Sequence, residues 1–138
     1  MTKVGEHITL DIIGTTKEHD PSLFEKVIHD IAKAAKVTIL NISKYKFEPQ
    51  GFTILALLAE SHISFHTFPE KGIISFDFFT CGKINPSVAV EIIKKEFEHT
   101  RIVKKEFNRD TKSLYPDIYS SPGTVSYTHL TLPTIYSV

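Results

Sequence analysis

The chain has 138 residues, enough for one two-layer core and too few for two ordinary domains. Its 16 Lys and Arg balance 16 Asp and Glu, so no net field draws it onto nucleic acid or an anionic membrane. The longest apolar run, Phe52 to Ala59 with Thr53 inside it, is far too short to span a bilayer, and the lone Cys81 excludes an intrachain disulfide framework. No apolar segment precedes the polar alternation at the N-terminus, so no secretory signal is expected. A single cysteine fits a reducing compartment. These features predict a cytoplasmic, single-domain protein without nucleic-acid or membrane partners.

Along the chain, His7 to Ile13 alternates polar and apolar residues, as a strand with one buried face does. Asp20-Pro21-Ser22 then reads as a helix start, with Pro in the first turn. Leu23, Phe24, Val27, Ile28, Ile31 and Ala32 recur at helical spacing and carry that helix to about Ala35. Val37 to Ile42, rich in β-branched residues, predicts a second strand. Lys44 to Gly51 is charged and broken by Pro49 and Gly51, so it reads as a connection or a strand end.

Three more strands are expected in close succession, Phe52 to Ala59, His62 to Phe68 and Ile73 to Phe79, with Pro69-Glu70-Lys71-Gly72 as a hairpin turn. Asn85-Pro86-Ser87 opens a second helix whose apolar positions are Val88, Val90, Ile92, Ile93 and Phe97, and Thr100 to Phe107 forms a last strand. Hairpins with helices to one side predict an α+β fold: a two-layer α/β sandwich, mainly antiparallel sheet, with two helices on one face. The domain is expected to span residues 1–108. Residues 109–138 form an irregular tail rich in Ser, Thr, Pro and Tyr, whose end is expected not to be native to the domain.

Candidate chemistry gathers in "LLAESHISFHTFPEKG", residues 57–72, where Glu60-Ser61-His62 interrupts an apolar run. A structural strand has no need of that density of titratable groups. His62 and His66 are four apart, hence on one face of an extended strand, but with no second cysteine and no clear third ligand no metal site is expected. No Gly-x-Ser-x-Gly elbow surrounds Ser61, which disfavours a serine acyl hydrolase. Cys81, in Phe78-Phe79-Thr80-Cys81-Gly82, fits either a small buried residue or a nucleophile or proton donor at a strand end. Taken singly, Phe47, Phe68 and Glu70 read as packing aromatics and a solvated turn carboxylate.

Together these residues form a pattern. Ala59-Glu60-Ser61-His62, His66-Thr67-Phe68-Pro69-Glu70 and Asp77-x-Phe79-Thr80-Cys81-Gly82, with Phe47-Glu48-Pro49-Gln50-Gly51 upstream, resemble the prokaryotic, pyruvoyl-dependent S-adenosylmethionine decarboxylase proenzyme family. The resemblance runs from about Gly5 to Phe107 and is specific in its central part. It implies a homodimer of processed protomers, each cut between Glu60 and Ser61 into a β chain 1–60 and an α chain from 61. The Ser61 hydroxyl would attack the Glu60 carbonyl, exchanging amide for ester. Removal of the Ser61 Cα proton would then expel the Glu60 carboxylate, and the dehydroalanine left behind would hydrolyse to a pyruvoyl group and ammonia.

In that family the pyruvoyl ketone forms a Schiff base with the substrate amine and accepts electrons as carbon dioxide leaves. The resemblance assigns His66 to proton abstraction during the cut, Thr53 to a helper position usually held by serine, and Cys81 to reprotonation of the substrate. Phe47 and Phe68 would face the adenine, and Glu70 would bind the ribose hydroxyls. The family usually carries Trp where this chain has Phe68. The implied product is decarboxylated S-adenosylmethionine, the aminopropyl donor for spermidine synthesis. Family members acting on arginine or ornithine are the alternative, and retention of Glu70 favours the nucleoside. A non-catalytic homologue would be expected to have lost Ser61, His66 or Cys81, and all three are present.

Overall fold

In the computed structural model, which describes residues 3–15, 19–110 and 117–119, the elements run β1 (Lys3–Ile13), α1 (Pro21–Ala35), β2 (Ile39–Lys46), β3 (Phe52–Leu58), β4 (Ser61–Phe68), β5 (Ile73–Thr80), α2 (Val88–Glu96) and β6 (Arg101–Asp110). A single 3-10 turn, Pro69–Lys71, links β4 to β5. The strands form one sheet in the order β2-β3-β4-β5-β1-β6, and every neighbouring pair is antiparallel. This is the expected α+β sandwich, with both helices against one face.

Period-two alternation builds the covered face. Ile8, Leu10 and Ile12 of β1, Phe52, Ile54, Ala56 and Leu58 of β3, Ile63 and Phe65 of β4, and Ile74, Phe76 and Phe78 of β5 are all buried. Phe24 of α1 sits at the centre, with ring centroids 4.8 Å from Phe52, 5.0 Å from Phe65 and 4.9 Å from Phe97. Asp20 caps α1 by accepting from the Ser22 amide at 3.0 Å, as the Asp-Pro-Ser start predicts.

Several boundaries move. β2 begins at Ile39 and continues through Lys46, so the start of the segment expected to be a connection or a strand end is the end of this strand. As an edge strand it has a neighbour on only one side, so charged residues are tolerated there and blunt the edge. At the other edge, β6 runs on to Asp110. Most of the tail expected at 109–138 lies outside the described residues. Among the described residues no helix is long and apolar enough to cross a membrane.

Opposite the helices the sheet is bare. His7, Thr9 and Asp11 of β1, Thr53, Leu55 and Leu57 of β3, His62, Ser64, His66 and Phe68 of β4, and Ser75, Asp77 and Phe79 of β5 alternate away from the core. A solvated face carries scattered apolar residues at most, yet four large apolar side chains, Leu55, Leu57, Phe68 and Phe107, are exposed on this one face.

Candidate active site

The β3–β4 hairpin closes in two residues, because Leu58 pairs with Ser61 and only Ala59 and Glu60 lie between. So tight a turn needs a residue at positive φ, ordinarily Gly or Asn. Glu60 takes that place at φ 60°. A side chain with a Cβ pays about 1–2 kcal/mol there, because Cβ crowds the following carbonyl oxygen. The turn is held by the Ala59 amide donating to the Thr38 carbonyl at 3.0 Å. Ser61, the next residue, is 6% exposed, and its hydroxyl folds back to donate to the Ala59 carbonyl at 3.4 Å. The expected Glu60-Ser61 pair thus joins a strained backbone to a hydroxyl turned toward the hairpin.

Cys81 comes to the same end of the sheet. His62 pairs with Phe79, so the start of β4 lies beside the end of β5. Cys81, half-buried, leaves β5 directly after Thr80 and before Gly82 at φ 95°. The Thr80 hydroxyl is fully buried and donates to the Ile84 carbonyl at 2.7 Å, which fixes the loop carrying the thiol.

The other expected residues gather at the opposite end of β4. Phe47, Thr53, His66, Phe68 and Glu70 line one cavity of about 320 Å³, together with Gln50, Gly51, Phe52 and Thr67. Thr53 and His66 are register partners, and Thr53 Oγ1 shares a 2.9 Å hydrogen bond with His66 Nδ1. Phe47 is 49% exposed and Phe68 37%, so both rings present a face to the cavity rather than to the core. Glu70 reaches its rim from the turn after β4, whose Gly72 at φ 65° returns the chain into β5.

Gly51 makes the cavity possible. It adopts φ 91°, and a Cβ there would lie 3.0 Å from the Thr67 carbonyl oxygen. Its carbonyl accepts from the Phe47 amide at 2.8 Å, which holds the Phe47 loop over the cavity. Thr67 Oγ1 accepts from the Phe52 amide at 2.9 Å and ties the floor together.

The eight expected residues therefore fall into two groups, Glu60, Ser61 and Cys81 at one end, and Phe47, Thr53, His66, Phe68 and Glu70 at the other. Ser61 and His66 are five positions apart on one strand, or about 16 Å at the rise of an extended chain. They also point to opposite faces, Ser61 to the covered side and His66 to the bare one. Sequence reasoning did not foresee the grouping on the bare face of His7 and His62 around Asp77. The residue names carried no signal for it, because strand register alone brings them together. His62 and His66, considered as a pair from their spacing, are engaged separately, with Asp77 and with Thr53.

A family model described as S-adenosylmethionine decarboxylase matches residues 6–110. A protein of Prochlorococcus marinus strain MIT 9313, named S-adenosylmethionine decarboxylase proenzyme, is 41% identical over 111 residues, which span 78% of this chain and 89% of that one. A protein of the same name from the archaeon Methanococcus maripaludis strain C7 is 37% identical over 112 residues, covering 79% of this chain and 92% of its own. The crystal structure of the adenosylmethionine decarboxylase from Aquifex aeolicus VF5 superposes with a TM-score of 0.70 at 30% identity, covering 86% of this chain and all of that one.

Proposed function

The chain belongs to the S-adenosylmethionine decarboxylase family, and from that premise we infer that it is a self-processing enzyme which removes carbon dioxide from S-adenosylmethionine to supply an aminopropyl donor for polyamine synthesis. Cleavage falls between Glu60 and Ser61, giving a β chain 1–60 and an α chain beginning at 61, within a domain spanning about residues 1–108. The observation that carries this reading is Glu60 in the left-handed region immediately before a buried serine. Strain stored at that peptide is relieved when the bond breaks, which favours the cut over the intact turn.

The cofactor is a pyruvoyl group made from Ser61, so it needs no separate binding pocket. Its formation needs a β-hydroxyl, a carbonyl within that hydroxyl's reach and a base for the Ser61 Cα proton, and the residues fit. Ser61 supplies the hydroxyl and the adjoining Glu60 carbonyl receives it. When formed, the group supplies an electron sink for loss of carbon dioxide from an amine-bearing substrate. His66 acts as the base, with Nδ1 occupied by Thr53 and Nε2 left for the proton. The Cys81 thiol returns a proton to the substrate α-carbon. Phe47 and Phe68 hold the adenine between them, Glu70 accepts from the ribose hydroxyls, and the aromatic faces favour the cationic sulfonium.

His66 cannot serve Ser61 of its own chain from the far end of β4. A homodimer removes the difficulty. Two bare sheet faces packed about a two-fold axis, with strands running in opposite senses, set the Ser61 and Cys81 end of one copy over the His66, Phe68 and Glu70 end of the other. Exposed Leu55, Leu57 and Phe107 on that face support such packing, since they would be covered by it.

Intact mass of the purified protein tests the enzyme reading. Two chains separating between residues 60 and 61, the second with a pyruvoyl terminus, are expected. One uncut chain after prolonged incubation, with Ser61 unmodified, would overturn it.

A further inference from the structure

On the bare face, at the opposite end of β4 from the cavity, three metal-ligating side chains converge. His7 of β1 and His62 of β4 both lie beside Phe79 of β5 in register, and Asp77 sits two positions along β5 on the same face. His7 Nε2 is 2.7 Å and His62 Nε2 3.5 Å from the same oxygen, Asp77 Oδ2. The three ligand atoms all lie within 4.8 Å of one another. An ion pair would need one imidazole, and here two aim their Nε2 atoms at one carboxylate oxygen. A tetrahedral ion with bonds of about 2.0–2.1 Å asks for ligand atoms about 3.3 Å apart, within the span found here.

The surroundings support the same reading. Ser64 is the register partner of Asp77 and donates a hydrogen bond to Oδ1, which orients the carboxylate and leaves Oδ2 to the histidines. His62 stacks on Phe79 at 5.7 Å, and His7 meets the same ring edge-on at 5.9 Å, so one aromatic fixes both imidazole planes. All three ligands stand on adjacent strands of one sheet, which holds their spacing better than a loop would. In the single chain His62 has its side chain 50% exposed, so the remaining coordination position can be filled by solvent or, where two bare faces pack, from the facing copy.

We propose that His7, His62 and Asp77 form a binding site for one divalent transition-metal ion of the class that prefers imidazole and carboxylate ligands, zinc above all. Mixed nitrogen and oxygen donors disfavour magnesium and calcium, which seek oxygen cages. The bound ion clamps β1, β4 and β5 together beside the hairpin that carries Ser61. The inference does not depend on the chain's activity, because the ligands are present whether or not it is cut.

The test uses untagged full-length protein, stripped with chelator, dialysed against a slight excess of zinc and then freed of unbound metal. About one zinc per chain is expected, falling below roughly a tenth in His62→Ala and in Asp77→Asn. Because a substitution can perturb folding, cobalt(II) spectra on the unaltered protein give a second readout. Visible d–d bands without a near-ultraviolet thiolate charge-transfer band are expected. Absence of bound zinc, equal zinc in Asp77→Asn, or a thiolate band that disappears in Cys81→Ala would overturn the proposal.

Discussion

The two ends of β4 carry different sets of groups. At Ser61 the chain offers a strained turn, a buried hydroxyl and a nearby thiol. At His66 and Phe68 it offers a cavity with two aromatic faces, a carboxylate and a histidine held by a threonine. On the proposed assignment, bonds are made and broken with the first set and a nucleoside is recognised with the second. About 16 Å of extended strand divides the two sets. A single sheet separates such groups rigidly, and the proposed homodimer would bring them together.

Substitutions that remove one end and spare the other separate the two sets. Ser61→Ala has the largest expected effect: no cleavage on a denaturing gel and no carbon dioxide release, with the fold retained because one hydroxyl contributes only ~1 kcal/mol. Cys81→Ala should still cut itself, yet lose roughly 10²–10⁴-fold in decarboxylation, the usual share of a positioned proton donor. Carbon dioxide release at the unaltered rate would show that the thiol is not the donor.

At the far end, Glu70→Gln keeps the shape and removes the charge. It should raise KM about tenfold with kcat little changed, because it weakens hydrogen bonds made to bound substrate and transition state alike. Glu60→Gly is the smallest effect and the most pointed. In a Ser61→Ala background glycine should stabilise the uncut chain by about 1 kcal/mol, read as a rise in Tm, because it occupies the left-handed region without a Cβ. With Ser61 restored, cleavage should slow about fivefold if that strain drives the cut. Faster cleavage would assign the strain no part in it.

The covered face was legible in the sequence because burial imposes a period. The spacing of Phe24, Val27, Ile28 and Ile31 marked α1, and all four are fully buried. Asp20 marked its start, since an orphan amide at a helix terminus demands a short acceptor. β2 was legible only at its beginning: past Ile42 no residue of the strand is buried, so no alternation survives to be read. The positive φ of Glu60 left no trace, because the residue type argues against the conformation it adopts. The identities of the expected site residues came from their resemblance to a family pattern. Their division between two ends came only with the strand register, as did the meeting of His7 with Asp77 across 70 positions of chain.

Complementation tests the central claim, that one working site draws on both ends through two copies. Ser61→Ala and His66→Ala chains, each inactive alone, are co-expressed and purified together. Half of randomly paired dimers then hold one chain of each kind, with one of two sites complete. Activity of roughly a quarter of the unaltered enzyme is expected, accompanied by cleavage of the His66→Ala chain in the mixed dimers. A mixture as inactive as its two components, with mixed dimers shown to be present by mass, would mean that the site is not shared between copies.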